Sequence, residues 1–510
     1  MSELVPKESH LMRCVTPFIF ACFGGCFGGG FGGGFVLCVG STHAHAAMRD
    51  ETPLVFTQPT YDLLPAPFFP TMVKPRDLDG DGIVDLVVPG RDPEKRLFTM
   101  RGVGDGHFVP LQTLVAESFV DWVDLADIDN DGHDDIVAAW RGDFPRLVAY
   151  RGLGGGVFAE ATVLVGLELG MGRDPQGLAI GDFDGDQDID IAVTQYVGGA
   201  IEVFSNLGNL LFERTDRVRV GSFLGGYQYP RMTFACDIDG DSDLDLIANE
   251  LGGSRIAVSR NHNGRFARAV EYRVPQIGKE RPGIASMMMA DVEGDGDSDI
   301  VVAALLLAPE QKLVAFINDG TGDFSQRIVG RSSPFGYAFS LEMADFDGDG
   351  DLDAATGVAL PGMVAVGRRT ALGEFDFSID ALLPLGQLIR HISAVDLDGD
   401  CDLDIVGVDG PSRAVFSSIN NTSAAGCGGG VAATTNARKH VDQSNVTALV
   451  TTPALKLITA DRNGDGVRDA IDVAVWLASQ STVTPSTTSS TSPTTTPSRT
   501  SDHSTSEKRK

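Results

Sequence analysis

The sequence predicts an all-β fold, a seven-bladed β-propeller, and three observations lead there. An acidic nonapeptide recurs seven times, its copies are evenly spaced, and each is followed by short apolar runs and a glycine-rich turn. The nonapeptide reads Asp-x-Asp-Gly-Asp-x-x-x-Asp, with Asn once at the fourth position and Glu once at the third. Its copies begin at Asp77, Asp127, Asp182, Asp237, Asp291, Asp345 and Asp396, at intervals of 50, 55, 55, 54, 54 and 51 residues. Seven matches at near-constant spacing mark an array of structural repeats.

Ahead of the array, Lys7 and Arg13 precede an uncharged stretch from Cys14 to Gly40, and Ala44-His45-Ala46 supplies a small-x-small site before Ala47. Residues 1–46 therefore read as an export signal. The stretch is long enough to cross a bilayer, so an uncleaved anchor is the rival reading. Four of the seven cysteines lie in this leader, leaving Cys236, Cys401 and Cys427 after cleavage. One disulfide and one buried thiol would suit an oxidising compartment, and the sequence does not choose the pair.

Residues 53–420 form the expected propeller. Each acidic loop leads into a β-like run such as Ile83–Val88 or Asp299–Ala303, and a second run such as Arg146–Tyr150 or Lys312–Phe316 follows. A glycine turn ending in phenylalanine closes the unit, as in Gly104–Phe108, Gly154–Phe158 and Gly320–Phe324. Short apolar runs bounded by glycine are strand and hairpin signals. About four strands in ~50 residues is the size of a propeller blade, whereas turns of a β-solenoid are usually much shorter. A ring must close on itself, and the expected closing strands are Pro53–Phe56 and Ala414–Phe416.

The chain of 510 residues carries a net charge of −30, which argues against a nucleic-acid partner. Much of the acid is concentrated in the repeated loops, a distribution that points to bound cations. Loop 1 places Asp77, Asp79, Asp81 and Asp85 at positions 1, 3, 5 and 9, with Ile83 offering its carbonyl at position 7. The same positions are Asp127, Asp129, Asp131, His133 and Asp135 in loop 2, and Asp182, Asp184, Asp186, Asp188 and Asp190 in loop 3. Loop 4 has Asp237, Asp239, Asp241, Asp243 and Asp245, and loop 5 has Asp291, Glu293, Asp295, Asp297 and Asp299. Loop 6 has Asp345, Asp347, Asp349, Asp351 and Asp353, and loop 7 has Asp396, Asp398, Asp400, Asp402 and Asp404. Odd-numbered oxygen donors around a glycine-assisted turn follow the logic of an EF-hand loop, and an all-oxygen site of high charge suits calcium. No cysteine or histidine side chain stands at a ligand position, which argues against zinc. Position 4 is Gly80, Asn130, Gly185, Gly240, Gly294, Gly348 or Gly399, all residue types that tolerate a left-handed backbone. Position 6 is glycine in loops 1, 2 and 6 but Gln187, Ser242 and Cys401 in loops 3, 4 and 7, which makes those three the weaker candidates. Seven calcium ions are expected in the propeller.

These repeats resemble FG-GAP, or VCBS, repeats, the units of integrin alpha-chain propellers and many bacterial surface proteins, over roughly Pro53 to Asn420. The resemblance implies structural calcium in loops on one face and ligands engaged by surface loops elsewhere. It carries no ligand residue across to this chain.

Beyond the array, residues 421–455 are rich in Ala, Gly and Thr and read as a linker. Residues 456–479 contain a further loop with Asp461, Asn463, Asp465, Val467 (through its carbonyl), Asp469 and Asp472 at positions 1, 3, 5, 7, 9 and 12 and Gly466 at position 6. That is an EF-hand pattern for one more calcium ion, followed by a short apolar helix. The segment resembles half of a dockerin; dockerins carry two such loops, which argues against docking to a cohesin. The Ser/Thr/Pro-rich residues 480–510 are expected to be disordered.

Signals for catalysis are sparse. His107, His133, His262 and His391 fall in different repeats without ligand spacing, and Arg141-Gly142-Asp143 is a tripeptide that arises readily by chance. The function expected is an exported, calcium-binding module for adhesion to an extracellular protein or glycan, with no membrane span if the leader is cleaved. A polymer-acting lyase or hydrolase on the same scaffold is the alternative.

Overall fold

The computed structural model describes residues 54–142, 145–166, 174–220, 229–250, 253–277, 282–305, 312–330, 338–359, 362–369, 375 and 377–422. The expected leader, the linker after Thr422, the C-terminal loop and the tail lie outside the described residues. Among the described residues there is no helix, so none is long and apolar enough to cross a membrane.

The strands form seven four-stranded antiparallel sheets, one per repeat, and one two-stranded ribbon, Phe69–Pro70 with Gly90–Arg91. Blade 2 shows the plan: Phe119–Ala126, Asp135–Arg141, Arg146–Tyr150 and Thr162–Val165 run up and down in order. The first strands of blades 3 and 4, Pro175–Gly181 and Pro230–Cys236, are buried throughout. The last strands, such as Phe212–Arg219, alternate or face solvent. First strands therefore build the centre and last strands the rim. Six of the seven first strands carry a register shift near their start, for example between Val120 and Trp122, and bulges of this kind add local twist. The phenylalanines ending the glycine turns, Phe108, Phe158 and Phe324, are buried, as residues that seal one blade against the next must be.

The ring closes in blade 7, where Ile389–Val395, Asp404–Asp409 and Ala414–Ser418 are completed by Thr60–Leu63 from the start of the propeller. Ala414–Phe416 thus pairs as expected, but Leu54–Phe56, the described part of the expected run Pro53–Phe56, is not the closing strand. It runs on beside residues 419–422 through Thr57 N–H to Ile419 O (2.7 Å), Asn421 N–H to Val55 O (2.6 Å) and an isolated bridge from Phe56 to Asn420. The closing strand is the outermost of its blade and half exposed, so a polar Thr-Tyr-Asp-Leu run fits it better than an apolar one.

Candidate metal centres

In every blade the acidic loop joins the first strand to the second. Position 9 is the first residue of the second strand and pairs with the residue just before position 1: Arg76 with Asp85, Ala126 with Asp135, Gly181 with Asp190, Cys236 with Asp245, Ala290 with Asp299, Ala344 with Asp353 and Val395 with Asp404. The seven loops therefore share one register and lie at the same end of their blades.

The position-1 carboxylate winds the loop. In loop 1 the two oxygens of Asp77 accept from Gly80 N–H (2.7 Å) and Gly82 N–H (3.0 Å). Loops 3 to 7 repeat this on positions 4 and 6, as at Asp182 with Gly185 (2.7 Å) and Gln187 (2.9 Å). Both amides are presented by left-handed residues. Position 4 has φ between 59° at Asn130 and 80° at Gly80. At position 6, Gln187, Ser242 and Cys401 adopt φ of 76°, 77° and 76°, close to the glycines of the other loops. Loops 3, 4 and 7 are therefore built like the rest, and the expectation that they are poorer finds no support in their backbone. Cys401 is disulfide-bonded and Cys236 is a buried free thiol, while Cys427 lies outside the described residues.

The position-9 carboxylates are buried and brace the loop to the sheet. Asp245 accepts from Ile238 N–H (3.1 Å) through one oxygen and from Asn261 N–H (2.6 Å) through the other. All seven do the same with the amide of position 2 and an amide at the last residue of the third strand or just beyond it. Burial pushes Asp135 and Asp299 up to about 6, Asp190, Asp245 and Asp404 to about 7, and Asp353 to about 8, with nearby loop carboxylates adding to the rise. The two amides received by each oppose it.

Positions 1, 3 and 9 converge. In each of loops 1 to 4 these three carboxylates bring one oxygen apiece within 4.8 Å of one another. The buried oxygens Oδ1 of Asp129, Asp184 and Asp239, all at position 3, have no hydrogen-bond partner. A buried carboxylate oxygen without a donor is costly, and a cation would satisfy it. The residues present therefore fit a hard divalent ion. One oxygen of the position-5 carboxylate accepts from the amide of position 7, as Oδ1 of Asp81 does from Ile83 (2.8 Å) and Oδ1 of Asp186 from Asp188 (2.9 Å), and that amide leaves the second oxygen open. Position-7 side chains turn outward to other work, Asp188 accepting from Asn130 Nδ2 of the preceding blade (2.7 Å) and Asp243 from Asn263 N–H (2.8 Å). Between loops 1 and 2 a cleft of about 450 Å³ exposes Asp77 and Asp79 beside His133.

One set of residues escaped the sequence reading. The side-chain amides of Asn206, Asn261, Asn318 and Asn420 donate to the carbonyls of Ile128, Phe183, Ile238 and Phe346, position 2 of the preceding blade's loop, at 2.9, 2.7, 2.9 and 2.8 Å. In blade 6 Arg369 does this toward Val292 O (2.6 Å). The signal was present as an Asn just before the glycine turn in blades 3, 4 and 5, with Asn420 at the same place in blade 7.

At the other end of the strands, Asp121 accepts from Arg91 (2.8 and 2.9 Å) and Arg141, and Arg141 also donates to Asp174 (2.6 and 3.2 Å). Burial pushes Asp121 up, but the two guanidiniums outweigh it and hold the carboxyl far below the usual range. Arg141 belongs to the strand Asp135–Arg141 and is 4% exposed, so it is not displayed as an attachment tripeptide; Asp143 lies outside the described residues. The histidines are dispersed: His391 is fully buried in an inner strand, His107 stands 3.4 Å from Asp62, and His262 stands 3.4 Å from Asp241.

Among curated proteins, integrin alpha-PS2 of Drosophila melanogaster is 29% identical over 215 residues, 35% of this chain and 15% of that protein, so the chain spans well under a fifth of that relative's length. Among solved structures, an Agrocybe aegerita lectin described as recognising non-reducing terminal N-acetylglucosamine has 20% identity and a TM-score of 0.45, covering 71% of this chain and 85% of that one. BBS1N in complex with ARL6DN has 12% identity and a TM-score of 0.48, covering 73% and 99%. The FG-GAP-like repeat family matches residues 77–138, 127–193, 182–248, 237–302 and 303–356, a continuous span of more than half the chain. With seven blades each carrying one acidic loop in a shared register, the chain belongs to the FG-GAP-like repeat family.

Proposed function

We propose that this protein is an exported, calcium-loaded propeller that serves as a binding or adhesion module for an extracellular protein or glycan. The observation that carries the metal reading is the partnerless buried oxygen at position 3, held within reach of the carboxylates at positions 1 and 9. The donors are oxygens alone, which favours a hard cation of flexible coordination over zinc. Bound calcium would supply the positive charge that lets these carboxylates share one site. The chain's own part is to hold them there: position 1 winds the loop, and position 9 ties it to the sheet. Seven such sites in the propeller, and one in the C-terminal loop from Asp461 to Asp472, make eight.

Membership in the repeat family and the similarity to an integrin alpha chain support the binding role. A disulfide at Cys401 fits an oxidising compartment, and so supports export. The ligand surface is not assigned to named residues.

The test is binding of the full chain to an array of glycans and matrix proteins, in calcium and after chelation, with bound calcium counted by elemental analysis. The expected result is close to eight ions per chain and a ligand retained only in calcium. A chain that holds no calcium refutes the metal reading. A folded, calcium-loaded chain that binds nothing on the array counts against the adhesion reading and brings polymer-degrading activity to the front.

A further inference from the structure

Three of the loops contain a fixed positive charge of their own. The residue just before the end of the third strand, or just beyond it, is Arg151 in blade 2, Arg260 in blade 4 and Arg368 in blade 6. Arg151 Nε lies 2.5 Å from Asp129 Oδ2 and its Nη2 lies 2.7 Å from Asp131 Oδ2, so one guanidinium spans positions 3 and 5 of loop 2. Arg260 Nε lies 3.6 Å from Asp239, and Arg368 Nη1 lies 3.5 Å from Asp347, each again at position 3. In blades 3 and 5 the same place holds Ser205 and Ile317, and no ion pair touches loop 3 or loop 5 among the described residues. Blade 1 has Arg101 there, exposed and without an ion pair among the described residues.

We propose that Arg151 is a built-in counter-ion that sets the cation affinity of loop 2, and that Arg260 and Arg368 act in the same sense, more weakly, in loops 4 and 6. This rests on the reading of the loops as divalent-cation sites. A guanidinium beside the position-3 carboxylate does two things. It offsets repulsion among the carboxylates when no metal is bound, so the loop keeps its shape. It also opposes an arriving cation by like charge and by taking Asp131 Oδ2, the oxygen that the His133 amide leaves open, while Asp129 Oδ1 stays without a partner. Loops 3 and 5 have neither effect, so they depend on the metal for neutralisation and bind it more tightly. The propeller then holds two classes of site: loops that stay formed as calcium falls and release it first, and loops that retain it to the end. Arg151 is 45% exposed, so screening limits its effect, and a change on the order of tenfold in affinity is the scale to expect.

The experiment is calorimetric titration of calcium into the metal-free full chain, with thermal melts in calcium and in its absence, for the wild type, Arg151→Met, Arg151→Lys and Ser205→Arg. Arg151→Met keeps the aliphatic stem and removes the charge. It is expected to move one site from the weak class to the tight class, about tenfold tighter, and to lower the metal-free melting temperature while leaving the calcium-saturated one unchanged. Arg151→Lys, a compact charge that cannot span two carboxylates, should lie between the two. Ser205→Arg should move one tight site to the weak class. If calcium binds the wild type and Arg151→Met leaves the titration unaltered or weakens it, the counter-ion role is overturned while the metal reading stands. If the wild type binds no calcium, both fall.

Discussion

Removing the cation should invert the pH dependence of stability. Six of the position-9 carboxyls are pushed by burial to between about 6 and about 8, against an ordinary value of 3.8. Between those limits the metal-free folded chain holds protons that the unfolded chain has released. Folding is then linked to proton uptake, so stability falls as pH rises from about 4 to about 8. At Asp190 the rise from 3.8 to about 7 is roughly three pH units, or ~4 kcal/mol. That is worth several degrees of melting temperature from one site. A cation among the carboxylates reverses the sign, because an opposite charge favours the ionised form and drives the pKa below its unfolded value. Stability in calcium should rise through the carboxylate range and then level off. The assay is a series of thermal melts by circular dichroism from pH 4.5 to pH 8, on chain stripped of metal and desalted and on chain in excess calcium. A metal-free melting temperature that stays level or climbs from pH 5 to pH 8 would refute the reasoning.

Asn261→Ala removes the amide that reaches Phe183 O and leaves that carbonyl without its inter-blade donor. A loss of about 1–3 kcal/mol is expected in urea unfolding; an unchanged midpoint would show that the contact contributes nothing. Arg141→Met strips Asp174 and half of Asp121 of their guanidinium partner inside the protein, with an expected loss of about 3–5 kcal/mol by the same measurement. A variant as stable as the wild type but defective in cell attachment would instead mean that Arg141 is displayed after all.

The fold was legible because its signals are local and repeated. Each acidic loop, the apolar run after it and the glycine turn lie within one period, and the register that brings position 9 opposite the residue before position 1 follows from the hairpin they form. What stayed hidden depends on neighbours far away in sequence. The closing strand was assigned to the apolar Pro53–Phe56, but an outermost strand needs only one covered face, and Thr60–Leu63 meets that need with Asp62 accepting from Phe108 N–H (2.8 Å) and Tyr61 donating to Leu385 O (2.6 Å). Loops 3, 4 and 7 looked weaker for want of glycine at position 6. The position-1 carboxylate holds that amide in place and offsets the modest left-handed penalty of Gln187, Ser242 and Cys401.

The braces at position 9 and the inter-blade asparagines are parts of one structure. Asp404 Oδ1 receives Asn420 N–H, Asn420 Nδ2 reaches Phe346 O, and Phe346 N–H returns to Asp353 Oδ2 in the preceding blade. From Asp353 the same step passes through Arg369 and Val292 to Asp299, then through Asn318 and Ile238 to Asp245. Asn261 and Phe183 carry it to Asp190, and Asn206 and Ile128 carry it to Asp135. At blade 2 the relay changes hands, Gly156 N–H donating to Leu78 O (2.9 Å) while Leu78 N–H bonds Asp85. The remaining junction, between blades 1 and 7, is made by the closing strand and by Ser417 Oγ donating to Gly106 O. Each candidate metal ligand at position 9 is therefore also a joint between blades. Its charge state is set by what occupies the loop, and its two accepted hydrogen bonds are strongest when it is ionised. Loss of cation should loosen the ring at its blade junctions first, so amide exchange in metal-free protein should rise earliest at Ile128, Phe183 and Ile238, ahead of the central strands.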